Sequence, residues 1–381
     1  MQTSSSKLRI NGASARGLED VTAFTSSICL IDGQQGELAY RGYDIADLVE
    51  HITFEDVAWL LWHGSLPEPH NRDQLQERLC AERHLPPIVL DVLRLTPEET
   101  DPMAALRTAV SALAHFDREA EDSSRAANHR KAVRLTARIP TVVAAFARLR
   151  RGLEPVAPRM SGSTARNFLY MLSGEMPGPR AEQTMDAALV LHAEHGLNAS
   201  TFAARVIGAT LSDTYSAVTG AIGALKGPLH GGANTRVMQM LLALRRSGQD
   251  PVAFVRKKLA ANERIMGFGH RVYKTIDPRA RYLRGMLYSL GRERDAMHWV
   301  KTCNDLARVV KHEKGLNPNV DFFSAPVYHM LGIDADLYTP IFVMSRITGW
   351  TAHLLEQWDN NRLIRPRARY VGPRGLQVQA A

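Results

Sequence analysis

Four segments in the C-terminal half of the chain place polar side chains among glycines and apolar residues. Their sequences are AEHGLNAS, GPLHGGAN, MGFGHRVYKTIDPR and NPNVDFFSAPVY, at residues 193–200, 227–234, 266–279 and 317–328. Burying a polar or charged group costs free energy unless a hydrogen bond or a partner compensates for it. These segments are therefore the first place to look for residues that do chemistry.

Two of the segments carry a histidine near two or more glycines. His230 lies next to Gly231 and precedes a helix for which Asn234 is the expected N-cap. The positive end of a helix dipole disfavours an imidazolium, so His230 is expected to stay neutral and to donate a hydrogen bond. His270 follows Gly269, where the missing side chain lets a ligand approach the backbone. The alternative for both is a loop histidine that only packs a turn.

One aspartate and two arginines complete this set. Asp321 begins an apolar helix, where it is either an ordinary N-cap or a general base that the cap keeps ionised. Arg279 follows Asp277 and Pro278 into the first turn of another helix, and the dipole there favours an anion supplied from outside. Arg346 lies inside the apolar run IFVMSRITGWTAHLLEQW without a carboxylate nearby in sequence, which suggests a ligand carboxylate.

Together these residue types indicate a reaction class. Neutral histidines with a carboxylate suit proton abstraction next to a carbonyl, and the forked guanidinium of arginine suits a substrate with several carboxylates. The residues alone therefore predict carbanion or enol chemistry on a polycarboxylate, without a metal ion. His192 and His195 are three residues apart but lack a partnered distant ligand, so no zinc site is expected. GFGHRV and GAIGALKG do not match a dinucleotide loop or a phosphate loop.

Helices are expected to position these groups, because apolar residues recur at helical spacing along most of the chain. The spacing predicts helices over residues 54–63, 141–149, 185–195, 201–211 and 237–246. The exception is a pair of β-prone runs, SSICLID and ELAYRG, around the turn at residues 33–36. The stretches 117–130 and 151–163 are the predicted linkers. The predicted fold class is all-α with a small N-terminal β-hairpin.

Composition excludes several classes of protein. Of the 381 residues, 45% are hydrophobic and 23% charged, as in an ordinary globular protein. The net charge of +8 calls for an anionic partner, but the basic residues are scattered and aromatic residues make up only 7%, so a small anion is favoured over nucleic acid. No apolar run reaches about 18 residues and the first twenty residues lack a secretory signal, so no membrane association is expected. Three isolated cysteines favour a cytoplasmic location.

The four segments, in this order and spacing, resemble the citrate synthase family, and the resemblance extends over most of the chain. Further matching stretches are GLEDV, IDGQQGELAYRGYDI, LWHGSLP and NNRLIRPRARYVG. The resemblance implies a helical homodimer in which each subunit has two domains. By position, residues 1–231 would form the large domain, completed by residues 328–381. Residues 232–327 would form a small mobile domain that closes over the active-site cleft.

The resemblance also implies an acyltransferase of the citrate (Si)-synthase type in the tricarboxylic acid cycle, with no cofactor and no metal. Such enzymes condense acetyl-CoA with oxaloacetate and water, through an enol and citryl-CoA, to give citrate and coenzyme A. Matched residue by residue, Asp321 would take the methyl proton, His230 would donate to the thioester oxygen, and His270 would protonate the oxaloacetate carbonyl. The residues expected to bind oxaloacetate are His195, Arg279, Arg346 and Arg365, with Arg365 reaching across the dimer. Coenzyme A would contact Arg271, Lys314 and Asn319.

Other interpretations stay open at this point. A 2-methylcitrate synthase shares this fold and motif set but accepts propionyl-CoA, and one methylene group in a pocket is worth only about 1–3 kcal/mol. A non-catalytic relative would act as a binding or assembly protein, although the intact set of His230, His270 and Asp321 argues against it. A basic nucleic-acid-binding protein is the last option.

Overall fold

The computed structural model describes residues 16–18 and 21–377. Within this part of the chain there are sixteen α-helices and three short strands, which confirms the predicted all-α fold with an N-terminal hairpin. The stretch GLEDV at residues 17–21 lies partly outside the described residues, as do most of the twenty residues searched for a secretory signal.

The secondary structure runs from a small sheet into a long series of helices. Strands β1–β3 are Cys29–Asp32, Glu37–Tyr40 and Tyr43–Asp44. Helices α1–α10 are Ile45–His51, Phe54–His63, Pro69–Ala81, Pro87–Arg94, Pro102–Leu113, Arg125–Leu149, Thr164–Ser173, Pro179–His192, Ala199–Gly208 and Thr214–Lys226. Helices α11–α16 are Ala233–Ser247, Pro251–Ala260, Pro278–Glu293, Met297–Lys314, Val320–Met330 and Tyr338–Asp359.

The strands form one antiparallel sheet in the order β1-β2-β3. In the hairpin, Cys29 pairs with Tyr40 and Asp32 pairs with Glu37, so residues 33–36 form the turn as predicted. The Asp32 carboxylate accepts the amides of Gln34 and Gln35 at 2.8 and 2.9 Å, which organises this turn locally. The third strand has only two residues, too few for an alternating pattern to reveal.

Two predicted boundaries are wrong for identifiable reasons. The helix predicted over residues 141–149 is only the end of α6, which already begins at Arg125 within the predicted linker 117–130. Ser124 caps α6, and Lys131 is buried with its ammonium on the carbonyls of Ala120 and Asp122, so a polar run forms a helix. The expected N-cap of α11 is also wrong: Gly232 occupies that position with φ 72°, and Asn234 lies inside the helix.

Other predicted elements are confirmed with small shifts. Helix α2 begins and ends at the predicted residues 54 and 63, and a capping box between Thr53 and Asp56 fixes its start. Helix α8 ends at His192 rather than at residue 195, so His195 lies in the following loop. The predicted linker 151–163 contains no helix or strand.

The core surrounds α16, which packs against α2, α6, α8, α9 and α10. Helices α11 to α15 form a second group, in which α13 packs on α14 and α15, α12 on α14, and α11 on α15. His195 and His230 lie in the loops after α8 and α10, His270 lies in the loop between α12 and α13, and Asp321 lies in the first turn of α15. None of the described helices combines the length and apolarity needed to cross a membrane.

Candidate active site

The loop that carries His270 is tied to the start of α15, where Asp321 lies. Backbone hydrogen bonds join the Gly269 amide to the Asn317 carbonyl at 3.0 Å and the Asn319 amide to the Gly267 carbonyl at 2.9 Å. The Asn319 side chain adds two hydrogen bonds. Its Nδ2 donates to the Gly269 carbonyl, and its Oδ1 accepts a hydrogen bond from the Asp321 amide. His270 and Asp321 are thus held by one small framework.

His195 and His270 come together beside Tyr273. The two imidazole centroids are 5.4 Å apart, and the His270 ring lies 4.7 Å from the Tyr273 ring. His195 Nε2 is 3.3 Å from the Tyr273 hydroxyl. His270 Nδ1 accepts the amides of Val272 and Tyr273 at 3.0 and 3.1 Å, which assigns the proton of the neutral ring to Nε2.

Ser200 fixes the opposite tautomer at His230. The Ser200 amide donates to His230 Nε2 at 3.2 Å, and the Ser200 hydroxyl lies 2.8 Å from the same nitrogen. Because Nε2 accepts, the proton of the neutral ring is assigned to Nδ1. Ser200 is itself held by Asn198, the N-cap of α9, and by the indole N–H of Trp350 at 3.1 Å.

The position of Asp321 differs from the predicted one. Asn319 is the N-cap of α15, and Asp321 is the second residue of the helix. Its carboxylate is therefore not used as a cap and stays available to a ligand. Burial raises the pKa of Asp321 to about 6, although the cations Arg279 and Arg346 oppose the shift.

Burial changes the pKa of the three histidines in the opposite direction and lowers it, because burial disfavours their charged form. Burial lowers the pKa of His230 to about 4, with a smaller contribution from Arg346. Burial, followed by the charge of Arg279, lowers the pKa of His270 to about 4. The pKa of His195 is also well below its usual value, for the same first reason. At neutral pH the site therefore combines neutral imidazoles with a carboxyl group whose pKa is raised to about 6.

Arg346 is a buried cation with spare hydrogen-bonding capacity. Its side chain is 1% exposed, its Nε donates to the His192 carbonyl at 2.9 Å, and its guanidinium lies 4.5 Å from the Phe342 ring centroid. Its Nη2 is buried without a hydrogen-bond partner among the described residues. The charge of Arg346 lowers the pKa of both His195 and Asp321. A ligand carboxylate bound to Arg346 would therefore lie near both residues.

Arg279 is less free than its sequence position suggests. Asp277, the N-cap of α13, accepts both its Nε at 3.0 Å and its Nη2 at 2.8 Å, so the expected anion is supplied at least partly by the chain itself. Asp277 also accepts the Val320 amide at 3.2 Å. This aspartate therefore links Arg279 to the helix that carries Asp321, a role that the sequence did not reveal because an aspartate before a proline is also an ordinary helix start.

The remaining predicted residues differ from those above in their exposure to solvent. Arg271, Lys314 and Arg365 are exposed, and Arg365 belongs to residues 361–377, which contain no helix or strand. Sequence reasoning also missed Ser200 and Tyr273. Both lie inside segments that the motif search selected, but their residue types gave no sign of which histidine they would contact. Among the described residues, no three His, Cys, Asp or Glu side chains are grouped as a metal site would require.

The chain is similar to known proteins along nearly its whole length. The family model described as citrate synthase, C-terminal domain, matches residues 17–367. Citrate synthase 2 of Bacillus subtilis is 52% identical over 359 residues, which cover 94% of this chain and 96% of that protein. A 2-methylcitrate synthase of Mycobacterium tuberculosis is 45% identical over 360 residues, covering 94% of this chain and 90% of that protein. The crystal structure of citrate synthase from Pyrobaculum aerophilum superposes with a TM-score of 0.90 at 38% identity, covering 100% and 99% of the two chains.

Proposed function

This chain belongs to the citrate synthase family, a family of enzymes that transfer an acyl group, and we propose on that premise that it condenses acetyl-CoA with oxaloacetate. Citryl-CoA would form first and then be hydrolysed to citrate and coenzyme A. The observation that carries the proposal is the combination of neutral His230 and His270 with Asp321, whose pKa is about 6, and with Arg346, whose buried Nη2 has no hydrogen-bond partner among the described residues.

Oxaloacetate has two carboxylates, and the site offers cations for both. Arg346 Nη2 would bind one of them, since a buried cation without a partner gains most from a charged ligand. Arg279 would use the donors that Asp277 leaves free, and His195 would contribute a further hydrogen bond. We include Arg365 of the partner subunit, because the family resemblance assigns this exposed arginine a role across the dimer.

The first chemical step is removal of a methyl proton from acetyl-CoA by Asp321. The methyl group of a thioester has a pKa of about 20 against about 6 for this carboxyl, a gap of about 14 units or about 19 kcal/mol. The raised pKa of Asp321 makes it a stronger base than an ordinary aspartate while leaving it mostly ionised at pH 7. His230 would donate its Nδ1 proton as a hydrogen bond to the thioester oxygen, where negative charge develops.

The second step joins the enol carbon to the carbonyl carbon of oxaloacetate. The carbonyl oxygen becomes a hydroxyl group, and His270 would supply that proton from Nε2, since its Nδ1 is occupied by two backbone amides. Water then cleaves the thioester of citryl-CoA, which releases citrate and the free thiol. In this hydrolysis, water would give one proton back to His270 as its oxygen bonds to the acyl carbon, and the leaving thiolate would take the proton that Asp321 holds. Both residues thus return to their starting states, and the proposal includes neither a metal nor a cofactor.

We propose four further features: the coenzyme A contacts, closure of a small domain, a homodimer and a cytoplasmic location. Coenzyme A would pass Arg271, Lys314 and Asn319, of which the first two are exposed cations suited to phosphate. Residues 232–327 would close over the cleft as a small domain, in keeping with the mutual packing of α11 to α15. The chain would act as a homodimer in the cytoplasm. The three free cysteines are consistent with a reducing compartment.

Release of free coenzyme A thiol by the purified protein tests the proposal. With saturating oxaloacetate, kcat/KM is measured for acetyl-CoA and for propionyl-CoA. We expect a preference for acetyl-CoA of about tenfold or more, within the range that one methylene group can give. Absence of thiol release with either substrate would refute the proposal and leave a non-catalytic relative.

A 2-methylcitrate synthase is the second candidate, because a relative of that name is 45% identical to this chain. The citrate synthase from Bacillus subtilis is more similar, at 52%, which favours acetyl-CoA. A reversed preference in the same assay would select the propionyl-CoA reaction instead.

A further inference from the structure

The N-terminal hairpin has no part in the proposed chemistry, yet its turn contacts the loop that carries His270. The Lys274 amide donates to the Gly33 carbonyl at 2.8 Å. A methyl group added at Gly33 would lie 2.3 Å from the Val272 carbonyl oxygen, so the two backbones touch. The backbone of Gly33 does not have a positive φ, which means that this contact, rather than the local conformation, requires glycine there.

The strands of the same hairpin contact the loop that carries His195. The Tyr40 hydroxyl donates to the Glu194 carbonyl at 2.9 Å. On the other side of His195, the Ile31 side chain is so close to Gly196 that an added methyl group would lie 3.1 Å from its Cδ1. The hairpin therefore touches both loops whose histidines face each other in the site.

Apart from Tyr273, which is 3% exposed and lies against both histidines, the segment after His270 has little other support. Val272 and Ile276 are 40% and 55% exposed. The bond from Lys274 to Gly33 is the one backbone hydrogen bond from residues 270–276 to another part of the described chain. His270 Nδ1 is held by the amides of Val272 and Tyr273, so a shift of this segment moves the imidazole with it.

We propose that the turn from Asp32 to Glu37 is a positioning element of the reaction, which holds the His270 loop against the His195 loop through the backbone contact at Gly33. The inference rests on the proposed function. It adds that the turn sets the distance between His195 and His270, the two histidines that contact oxaloacetate. When the turn is displaced, the His270 imidazole can still donate a proton but no longer lies opposite His195. Oxaloacetate binding then weakens, and the scaffold stays folded.

The substitution Gly33→Ala tests this contact, because alanine suits the backbone conformation but its methyl group must push residue 272 away. We expect the oxaloacetate Kd from calorimetry to rise by about 10- to 100-fold, in line with the cost of a misplacement of about 1 Å. Amide hydrogen exchange in residues 272–276 should become faster, while Tm changes little. Gly285→Ala is the matched control, since no atom lies within 4 Å of its added methyl group.

A second variant keeps the test decisive if Gly33→Ala fails to fold. Asp32→Ala removes the carboxylate that organises the turn and should shift Kd and exchange in the same direction by a smaller factor. Unchanged oxaloacetate affinity and unchanged exchange in residues 272–276 would overturn the inference, as would a fall in Tm without either effect. Both readouts are independent of turnover. Failure of the unsubstituted protein to release thiol would refute the proposed function, a result separate from these.

Discussion

Replacing Arg346 by methionine should weaken oxaloacetate binding without destabilising the protein. Methionine has a similar length and no charge, so it fills the space in α16 while removing the guanidinium. The folded protein loses one hydrogen bond to the His192 carbonyl and the contact with Phe342, together about 2 kcal/mol. It also no longer buries a cation with an unpartnered Nη2, which costs several kcal/mol. The free energy of unfolding is therefore expected to stay equal or to increase.

The same change removes the partner of a substrate carboxylate. Breaking a buried charged hydrogen-bonded pair costs about 2–5 kcal/mol, which corresponds to a rise in the oxaloacetate KM of about 30-fold to several thousand-fold. The assay is thiol release over a range of oxaloacetate concentrations at saturating acetyl-CoA, with Tm measured in parallel by calorimetry.

Arg83 provides a matched control for Arg346. It is equally buried, at 2% exposed, but its guanidinium donates to the carbonyls of Arg159, Ser161 and Gly162 at 2.6–3.2 Å. Arg83→Met should therefore lower Tm and leave the oxaloacetate KM unchanged. If Arg346→Met behaves like Arg83→Met, with a lower Tm and an unaffected KM, Arg346 is a structural residue and the reasoning is refuted.

Three further predictions concern the acid–base groups and the partner subunit. As pH falls below about 6, Asp321 becomes protonated, while His230 and His270 stay neutral down to a pH of about 4. The value of kcat/KM should therefore fall about tenfold per pH unit below 6. A flat profile down to pH 5 would exclude Asp321 as the base. His230→Ala should lower kcat by at least about 10²–10³, the effect of one oxyanion donor, and near-normal turnover would remove His230 from the mechanism. The variant Arg365→Leu should be inactive alone but regain activity in a mixed dimer with His230→Ala. In that dimer, one of the two sites has both an intact His230 from its own chain and an intact Arg365 from the other chain. No recovery of activity in a verified mixed dimer would place Arg365 outside the partner's site.

The sequence predicts helices well where an apolar stripe and a cap coincide. Helix α2 has both, and its bounds match the prediction. Only the last nine of the 25 residues of helix α6 were predicted, because its first two turns are polar and the burial of Lys131 depends on carbonyls contributed by the preceding loop. The hydrogen bonds that compensate for burying Lys131 depend on the tertiary structure, so the local pattern of apolar and polar residues does not reveal them.

The site was predictable in its residue types but not in its connections. Glycines and apolar neighbours drew attention to His230, His270 and Arg346, all of which are buried or partly buried in the structure. The internal pairing of Arg279 with Asp277 was missed, because a capping aspartate and an ion-pair partner look the same in sequence. The role of Asn319 as the cap that leaves Asp321 free depends on where the helix starts, which sequence patterns locate only to within a few residues.

The central claim is that Asp321 removes the methyl proton of acetyl-CoA, and Asp321→Asn tests it most directly. Oxaloacetate affinity is measured by calorimetry, and citrate and free thiol are counted after addition of acetyl-CoA. The account predicts that the variant binds oxaloacetate within a few-fold of the unsubstituted protein, because asparagine keeps the shape of the side chain. It also predicts that the variant forms citrate at least about 10³-fold more slowly, since the amide cannot accept the proton. A variant that forms one citrate and one thiol per oxaloacetate at a near-normal rate would contradict the account.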